Sequence, residues 1–353
     1  MAARYKRALT RDSFIDALKS NDSLMFLIHD LPDLNGDTYA INVQLREGNQ
    51  LMYYHGTTRL LVVTLLEKDR QVCFRISANK TYSSGAACSE SFKQLADLGV
   101  NDPSKAGSTF QKHLKSALSV ADRSCYCNRK EGYWQNRLCV RYGARCQAED
   151  DWLIIDRECV IGFANNTEKR DVFHPHQVYF ETIRHAFQTQ DKKRWGGPTE
   201  VDSSTGEVRS RLGDELDMLA IGKDGQLLAI ELKDGANTKG IYWGPLQVGT
   251  YKAAFNAVLT HLERDIHSLI KQKVDLGLLP SHALRRLEKV SFSSVVPVLT
   301  IAAPNPRSGC WSMLAEVMKS AGTVSVVTID SPVREVAPIS EVATKHIVLN
   351  DTL

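Results

Sequence analysis

The spacing of apolar and polar positions in the first half of the chain predicts a β-rich region. A short helix is expected at residues 12–19, and four segments rich in β-branched and aromatic residues follow at hairpin spacing: TYAINVQL, NQLMYYHG, RLLVVTLLE and QVCFRISA. This pattern is typical of an antiparallel meander. Helical patterns near residues 89–98 and 109–121 come next, before two strand-like segments, NRLCVRYG and DWLIIDRECVIGF. We therefore expect an α+β domain over residues 1–165, rich in antiparallel strands.

From about residue 166 helical and strand-like patterns alternate. The helical segment QVYFETIRHAFQT is followed by the basic loop DKKRWGGP and by two strand segments, ELDMLAIG and LLAIELK, which the turn sequence KDGQ joins. A long helix is expected from Gly244 to about Lys273, with Pro245 at its first position. The strand VVPVLTIAA, the helix WSMLAEVMKSAG and the strand VSVVTID complete the pattern. This order predicts an α/β domain over residues 166–353, with a mixed sheet flanked by helices.

Three charged residues stand out in the paired strand segments. Asp217 lies in the first segment, and Glu231 and Lys233 lie two apart in the next one. Because residues i and i+2 of a strand share a face, Glu231 and Lys233 are expected to project together while Leu232 projects the other way. The hairpin folds Asp217 back towards them. Charges in otherwise apolar strands are costly unless a cation or a mutual network offsets them, so the cluster predicts a functional site.

These residue types suit metal-assisted hydrolysis of a phosphodiester. Two neighbouring carboxylates form a hard-oxygen site for Mg²⁺ or Mn²⁺, which retains water ligands and prefers phosphate. A metal held there would activate a bound water and stabilise charge on the leaving oxygen. The neighbouring lysine is expected to position or deprotonate the attacking water and to offset charge in the transition state.

The order of these residues resembles the signature of the PD-(D/E)xK nuclease superfamily, whose core is helix, three strands, helix, strand. The match consists of Asp217, Glu231, Leu232 and Lys233, and Leu216 stands where many family members have proline. The resemblance implies a restriction-endonuclease-like mixed sheet flanked by helices. It also implies an acidic metal ligand from the first helix, for which we choose Glu181. Glu215, on the same strand face as Asp217, is the alternative.

The helix after the signature strengthens this resemblance. It carries Gln247 and Tyr251, a Q-x3-Y spacing similar to that of the nuclease domains of bacterial recombination helicase-nucleases. The two residues extend an apolar helix face that continues as Ala254, Phe255, Val258, Leu262, Ile266 and Leu269. The resemblance thus implies a catalytic set of Asp217, Glu231, Lys233, Gln247 and Tyr251, and a metal set of Asp217, Glu231, Glu181 and Leu232.

Local basic residues indicate a polyanionic partner. The nucleic-acid-binding residues that we predict are Lys192, Lys193, Arg194, Arg209, Arg211, Lys239 and Lys252. Trp195, beside the basic loop, is expected to stack on a base. A solvated basic loop is the alternative interpretation. His174 and His176 precede the predicted helix and are interpreted as exposed loop residues or as contacts to phosphate or metal.

Composition limits the remaining possibilities. The chain has 353 residues, 43% hydrophobic and 24% charged, with 44 basic and 41 acidic residues and a net charge of +3. It has enough apolar material for two cores, and no strong overall field. No stretch reaches the roughly 20 apolar residues that span a bilayer, so we expect a cytoplasmic protein without a membrane partner. Cys125, Cys127, Cys139 and Cys146 either bind zinc or an iron-sulfur cluster or are buried thiols; their spacing favours buried thiols.

The expected function is that of an Mg²⁺- or Mn²⁺-dependent nuclease acting on nucleic acid, with DNA the preferred substrate. Residues 1–165 are expected to recognise substrate, a protein partner or a second copy of the chain. By analogy, such a fusion suggests a bacterial or phage-related defence effector. One alternative is a catalytically inactive nuclease-fold module that binds nucleic acid or a protein. Another is a metal-dependent hydrolase or structural subunit without nucleic acid.

Overall fold

The structure is a computed structural model that describes residues 3–19, 24–29, 31, 40–78, 103–121, 131–196, 215–329 and 344–347. Contacts group the chain into two compact units. The meander unit comprises Tyr5–Asp156 and Arg264–Lys289, and the mixed-sheet unit comprises Met1–Arg4, Arg157–Glu263 and Val290–Leu353. The predicted boundary at residue 165 lies near the passage of the chain between the units after Asp156, and residues 264–289 group with the meander unit. Separate folding of two domains stays a prediction.

The meander unit contains the predicted antiparallel sheet. Its strands pair in the order β1-β2-β3-β4, each antiparallel to the next, so the predicted meander is confirmed. Fully buried aliphatic residues of β1 to β3, such as Leu45, Leu51 and Val63, form its core. The described elements are α1 (Asp12–Lys19), α2 (Phe26–His29), β1 (Asn42–Arg46), β2 (Gln50–His55), β3 (Thr58–Lys68), β4 (Gln71–Ala78), α3 (Pro103–Ala121) and α4 (Glu131–Cys139).

One strand prediction in this half is wrong. The segment NRLCVRYG belongs to α4 and to a π-helical turn, Val140–Ala144, that continues it. The reason is helical periodicity that begins before the segment: Trp134, Leu138 and Tyr142 are four residues apart and all buried. The predicted helix near residues 89–98 lies outside the described residues.

The mixed-sheet unit contains strands and helices in alternation. The sheet has the order β10-β9-β8-β7-β6-β5; β6 and β7 are antiparallel, β7–β8 and β8–β9 are parallel, and β9–β10 is antiparallel. A mixed α/β architecture flanked by helices is therefore confirmed. The chain passes between the units after Arg4, within β5, within α7 and after Lys289. The elements from residue 152 onward are β5 (Trp152–Cys159), α5 (Asn166–Gln190), α6 (Lys192–Trp195), β6 (Leu216–Gly222), β7 (Leu227–Asp234), α7 (Thr238–Asp275), α8 (His282–Leu287, in the meander unit), β8 (Val295–Ala302), α9 (Cys310–Ala321), β9 (Ser325–Ile329) and β10 (Thr344–Ile347).

Two helices begin earlier than predicted, and both contain proline. Helix α7 begins at Thr238 rather than Gly244, so Pro245 lies inside it. Helix α5 begins at Asn166, where the Asn165 side chain caps it by accepting from the Glu168 N–H at 2.9 Å, and Pro175 lies inside. Pro245 was predicted at the first position of its helix, but both helices tolerate the missing N–H donor.

Candidate active site

The β6–β7 hairpin brings the two predicted carboxylates together. Its register pairs Met218 with Ile230, and continuing it by one residue sets Asp217 opposite Glu231. The Leu232 N–H donates to Asp217 Oδ2 at 2.7 Å. The predicted turn is present, with Gly225 at a φ of 84° that suits glycine. Because directly opposed residues of an antiparallel pair share a face, Asp217 and Glu231 lie on one face of the sheet.

Lys233 forms an ion pair with Glu231 on this face. Its ammonium donates to Glu231 Oε1. Both residues are buried, Glu231 at 1% and Lys233 at 8% exposure, in a strand with neighbours on both sides. The Leu232 side chain is fully buried, and by strand alternation it lies on the opposite face. Leu232 can therefore contribute only its backbone to an ion.

The first turns of α7 cover the same face. A Cβ atom added to Gly240 would lie 2.9 Å from Lys233 Cδ, and one added to Gly244 would lie 2.5 Å from Leu299 Cδ1. Leu299 is the neighbour of Glu231 in the parallel β7–β8 register. The absence of side chains at Gly240 and Gly244 thus lets the helix approach the site. These glycines were not among the predicted site residues, although two small residues four apart in a helix indicate a close packing contact.

Gln247 and Tyr251 of α7 also lie at the site. The Tyr251 hydroxyl donates to the Glu215 carbonyl, and the Gln247 side chain hydrogen-bonds to the phenol. Burial raises the pKa of Tyr251 well above its usual value, and the Glu231 and Asp217 carboxylates add to the effect. Tyr251 is therefore a neutral phenol within electrostatic reach of both acids. The rest of the predicted apolar stripe, from Ala254 to Leu269, is buried as expected.

Glu181 is fully buried in α5. Its Oε1 accepts from the Arg184 guanidinium at 3.2 Å, and that guanidinium lies 5.7 Å from the Trp243 ring centroid at the start of α7. Arg184 was missed, although its i+3 spacing from Glu181 is the usual signal for such a pair. The alternative ligand, Glu215, is exposed immediately before β6.

The backbone is strained where β7 and β8 end. Ala303 has a φ of 48°, which is unusual without glycine. A Cβ atom on Gly235 would lie 2.0 Å from the Ala303 carbonyl oxygen, and the Gly235 N–H donates to Ala302 O at 2.7 Å. In open α/β sheets, ligands bind beyond the carboxyl ends of parallel strands, which is the end of β7 that carries Glu231 and Lys233. The glycine permits this close approach.

The residues predicted to contact nucleic acid differ in exposure and in ion pairing. Lys192, Lys193 and Lys239 are exposed, whereas Arg194 forms a surface ion pair with Glu316 at 2.7 Å. Lys252 is half-buried, and Arg209 and Arg211 lie outside the described residues. The basic loop is the short helix α6.

The stacking role expected for Trp195 does not hold. Trp195 is 3% exposed and packs in an aromatic cluster with Phe187, Tyr242 and Trp243. Its ring faces are thus occupied by protein. His174 and His176 were expected in an exposed loop, but both are half-buried within α5. Burial lowers the pKa of His176.

The described cysteines of the C-x-C-x11-C-x6-C series are buried. Cys146 donates to the carbonyl of Trp152 at 3.1 Å, and burial raises the pKa of its thiol to about 12. Cys139 is 3% exposed. Both fit buried structural thiols, while Cys125 and Cys127 lie outside the described residues.

Comparisons with protein-family models, with curated proteins and with solved structures find no match to this chain. Within the part of the chain that the structure describes, no helix is long and apolar enough to cross a membrane. The same part contains no group of three or more His, Cys, Asp and Glu side chains arranged to hold a metal. The function of the chain is therefore inferred from the geometry of the site.

Proposed function

We propose that the chain is a metal-dependent nuclease that hydrolyses phosphodiester bonds, with DNA as its substrate and a PD-(D/E)xK-type active site. The observation that carries the proposal is the juxtaposition of Asp217, Glu231 and Lys233 on one face of the sheet, beneath the start of α7. Three ionisable residues in two otherwise buried apolar strands are expensive to maintain for packing alone.

The chemistry of the donor set fits one Mg²⁺ or Mn²⁺. Mg²⁺ is usually bound through one or two carboxylates, with water and substrate phosphate completing its octahedron. Asp217 and Glu231 supply two carboxylates, and the Leu232 carbonyl lies between Glu231 and Lys233 in the chain. A group of only two acids is consistent with this mode of binding. Bound there, the ion would supply Lewis-acid chemistry at a phosphate oxygen.

The residues of this chain have separable roles in the proposal. Asp217 and Glu231 hold the cation, and the Lys233 ammonium donates to a phosphate oxygen and offsets the charge that develops there. Tyr251 and Gln247 fix α7 against the residue before β6, which keeps Asp217 in place. The exposed Lys192, Lys193 and Lys239 neutralise backbone phosphates, a contribution that depends on salt and not on base sequence.

The decisive experiment is a cleavage assay on the full chain. Linear duplex DNA, circular plasmid and RNA of matched length are each incubated with Mg²⁺, with Mn²⁺ and with chelator. We expect DNA cleavage with either ion and none with chelator; loss of the circular form would identify an endonuclease. Asp217→Asn should abolish cleavage, whereas Asp224→Asn, the same change at the exposed turn of this hairpin, should not.

The assay also distinguishes a nuclease from the alternative function, a catalytically inactive binding module. DNA binding without cleavage under any ion would favour a catalytically inactive nuclease-fold module. Preferential RNA cleavage would change the substrate class. Absence of both cleavage and Mn²⁺ binding would overturn the proposal.

A further inference from the structure

The meander unit contains a cavity of about 570 Å³. This volume is within the range of about 300 to 1,000 Å³ that is usual for small-molecule sites. Every residue that lines it belongs to this unit. Its lining is mixed, and aliphatic residues such as Val140, Ile154, Leu278 and Leu279 occur beside polar ones. The cavity is therefore separate from the site of Asp217 and Glu231 and needs its own explanation.

A chain of three buried polar side chains crosses one wall. The Lys273 ammonium donates to Gln44 Oε1 at 2.6 Å, and Gln44 Nε2 donates to Asn42 Oδ1 at 2.6 Å. All three residues line the cavity and are at most 8% exposed. An ammonium can only donate, so it fixes the Gln44 amide with its oxygen towards Lys273 and its NH₂ towards Asn42. Asn42 consequently presents its own NH₂ at the end of the chain.

The charged lining residues have one sign. Lys273 and Arg145 line the cavity together with His29, and no Asp or Glu occurs among the described lining residues. Arg145 and His29 are exposed, whereas Lys273 is buried. The Lys273 ammonium also donates to the Ile155 carbonyl and lies 3.9 Å from Asp156, which does not line the cavity. The positive charge of the lining therefore comes mainly from Arg145 at the rim, and Asn42 adds hydrogen-bond donors; both complement an anionic head group.

The π-helical turn after α4 forms another part of the wall. The Arg145 N–H donates to the Val140 carbonyl at 3.0 Å, five residues back, and Val140, Gly143 and Ala144 line the cavity. This turn ends the helix. Here it places backbone and small side chains along the cavity beside the rim residue Arg145.

We propose that this cavity binds a small organic anion, a carboxylate or phosphate on an aliphatic body. The Asn42 amide, oriented by Lys273 through Gln44, and the rim residue Arg145 hold the anionic group, and the body lies against the aliphatic residues of the wall. This site is independent of the nuclease proposal, because it shares no residue with it.

Calorimetric titration of the full chain tests the proposal with three probes of equal chain length: octanoate, octyl phosphate and octanamide. We expect binding of at least one of the two anions, and at least about tenfold weaker binding of the neutral amide, because it lacks charge. The two anions distinguish a carboxylate from a phosphate site. Failure of both anions to bind, or binding of octanamide as tight as that of the better anion, would overturn the proposal.

A charge substitution locates the bound anion. Asn42→Asp keeps the acceptor for Gln44 and adds a negative charge to the wall, so anion affinity should fall at least about tenfold. Asn256→Asp is the matched control, because its Oδ1 accepts from the Val295 N–H at 2.8 Å in the mixed-sheet unit and it should leave affinity unchanged. If circular dichroism shows that Asn42→Asp does not fold, Arg145→Glu at the exposed rim replaces it, with the same expected loss. Unchanged affinity in the folded variant would overturn the proposal.

Discussion

The buried ion pair of Glu231 and Lys233 affects stability differently from an ion pair on the surface. Exposed pairs contribute about 0 to 1 kcal/mol, but removing one member of a buried pair leaves a desolvated charge and costs about 3 to 5 kcal/mol. At 1% and 8% exposure, these two residues belong to the second class. A cation that binds beside Glu231 would take over part of the role that Lys233 has in the metal-free protein.

This competition predicts the behaviour of Lys233→Gln. Cleavage should fall at least about 100-fold because the donor to the developing phosphate charge is lost. Mn²⁺ binding, measured by calorimetry, should persist or tighten, because the site becomes more electronegative. The melting temperature should fall in chelator and recover with Mn²⁺. Lys223→Gln, in the exposed turn of the same hairpin, is the control and should keep full activity. If Lys233→Gln also keeps full activity, Lys233 is only a structural charge partner of Glu231.

Tyr251 provides a second test at the level of one atom. Tyr251→Phe removes the hydroxyl that donates to the Glu215 carbonyl, two residues before Asp217. We expect a loss of about 1 kcal/mol in the free energy of unfolding and weaker Mn²⁺ binding, because the start of β6 loses an anchor. Urea unfolding and calorimetry measure both. Tyr179→Phe, at a position with 59% exposure on α5, should change neither. Equal effects of the two substitutions would contradict the anchoring role.

The positions of some site residues could be predicted from the sequence, and those of others could not. Glu231 and Lys233 are predictable because strand periodicity relates them, and Gln247 and Tyr251 because helix periodicity does. The ion pair of Glu181 with Arg184 satisfies the same periodicity, yet the burial of Glu181 depends on packing between helices. Residue spacing therefore predicts which side chains of one helix or strand are neighbours. Whether a charged side chain is buried depends on the tertiary fold and cannot be predicted from spacing.

At the level of elements, helix packing in the mixed-sheet unit depends on glycine. A Cβ atom added to Gly249 of α7 would lie 2.7 Å from Phe180 Cζ on α5. The same helix approaches Lys233 and Leu299 at Gly240 and Gly244. Glycine inside a helix normally costs about 1 kcal/mol relative to alanine, so close approach to α5 and to the sheet offsets that cost.

Gly249→Ala should consequently destabilise the protein despite the better helix propensity of alanine. We expect a loss of about 1 to 3 kcal/mol in the free energy of unfolding, because the ring of Phe180 cannot move without repacking. In a double-mutant cycle by urea unfolding, Phe180→Leu should relieve part of this loss, since a smaller side chain makes room. Additive effects of the two substitutions would show that the steric conflict is not the cause.

Element boundaries and types were predicted unevenly, for physical reasons. The strands β1 to β4 followed from alternation with hairpin spacing, and α9 followed from an apolar stripe ending at Gly322, whose φ is 85°. The segment NRLCVRYG was mistaken for a strand because its helical period becomes visible only with Trp134 included. Pro245 was predicted at the first position of its helix because an isolated sequence does not show whether packing compensates for a missing hydrogen bond inside a helix.

At the scale of the whole molecule, a network inside the meander unit joins segments that are far apart in sequence. Fully buried Asp156 of β5 accepts from the Tyr5 hydroxyl and from the Arg46 guanidinium, both at 2.7 Å. Arg7 lies 3.5 Å and Lys273 3.9 Å from the same carboxylate. Nothing in the local pattern around these residues relates them, since the Tyr5 and Arg46 contacts span 151 and 110 positions. Such contacts lie beyond what periodicity can predict.

The network predicts how the protein responds to acid. Burial opposes the charged form of Asp156, but Arg46, Arg7 and Lys273 outweigh it and lower the pKa of Asp156 to about 2, against about 3.8 for an ordinary aspartate. Because the folded-state pKa is depressed, the stabilisation is fully present above the unfolded pKa and is lost as pH falls through the folded pKa. That difference corresponds to about 2 kcal/mol of pH-dependent stability.

Asp156→Asn should therefore unfold at lower urea concentration at pH 7, and its free energy of unfolding should depend less steeply on pH between about pH 4 and pH 2. Asp16→Asn, at an exposed position of α1, should retain the wild-type slope, and a wild-type acid slope in Asp156→Asn would contradict the assignment.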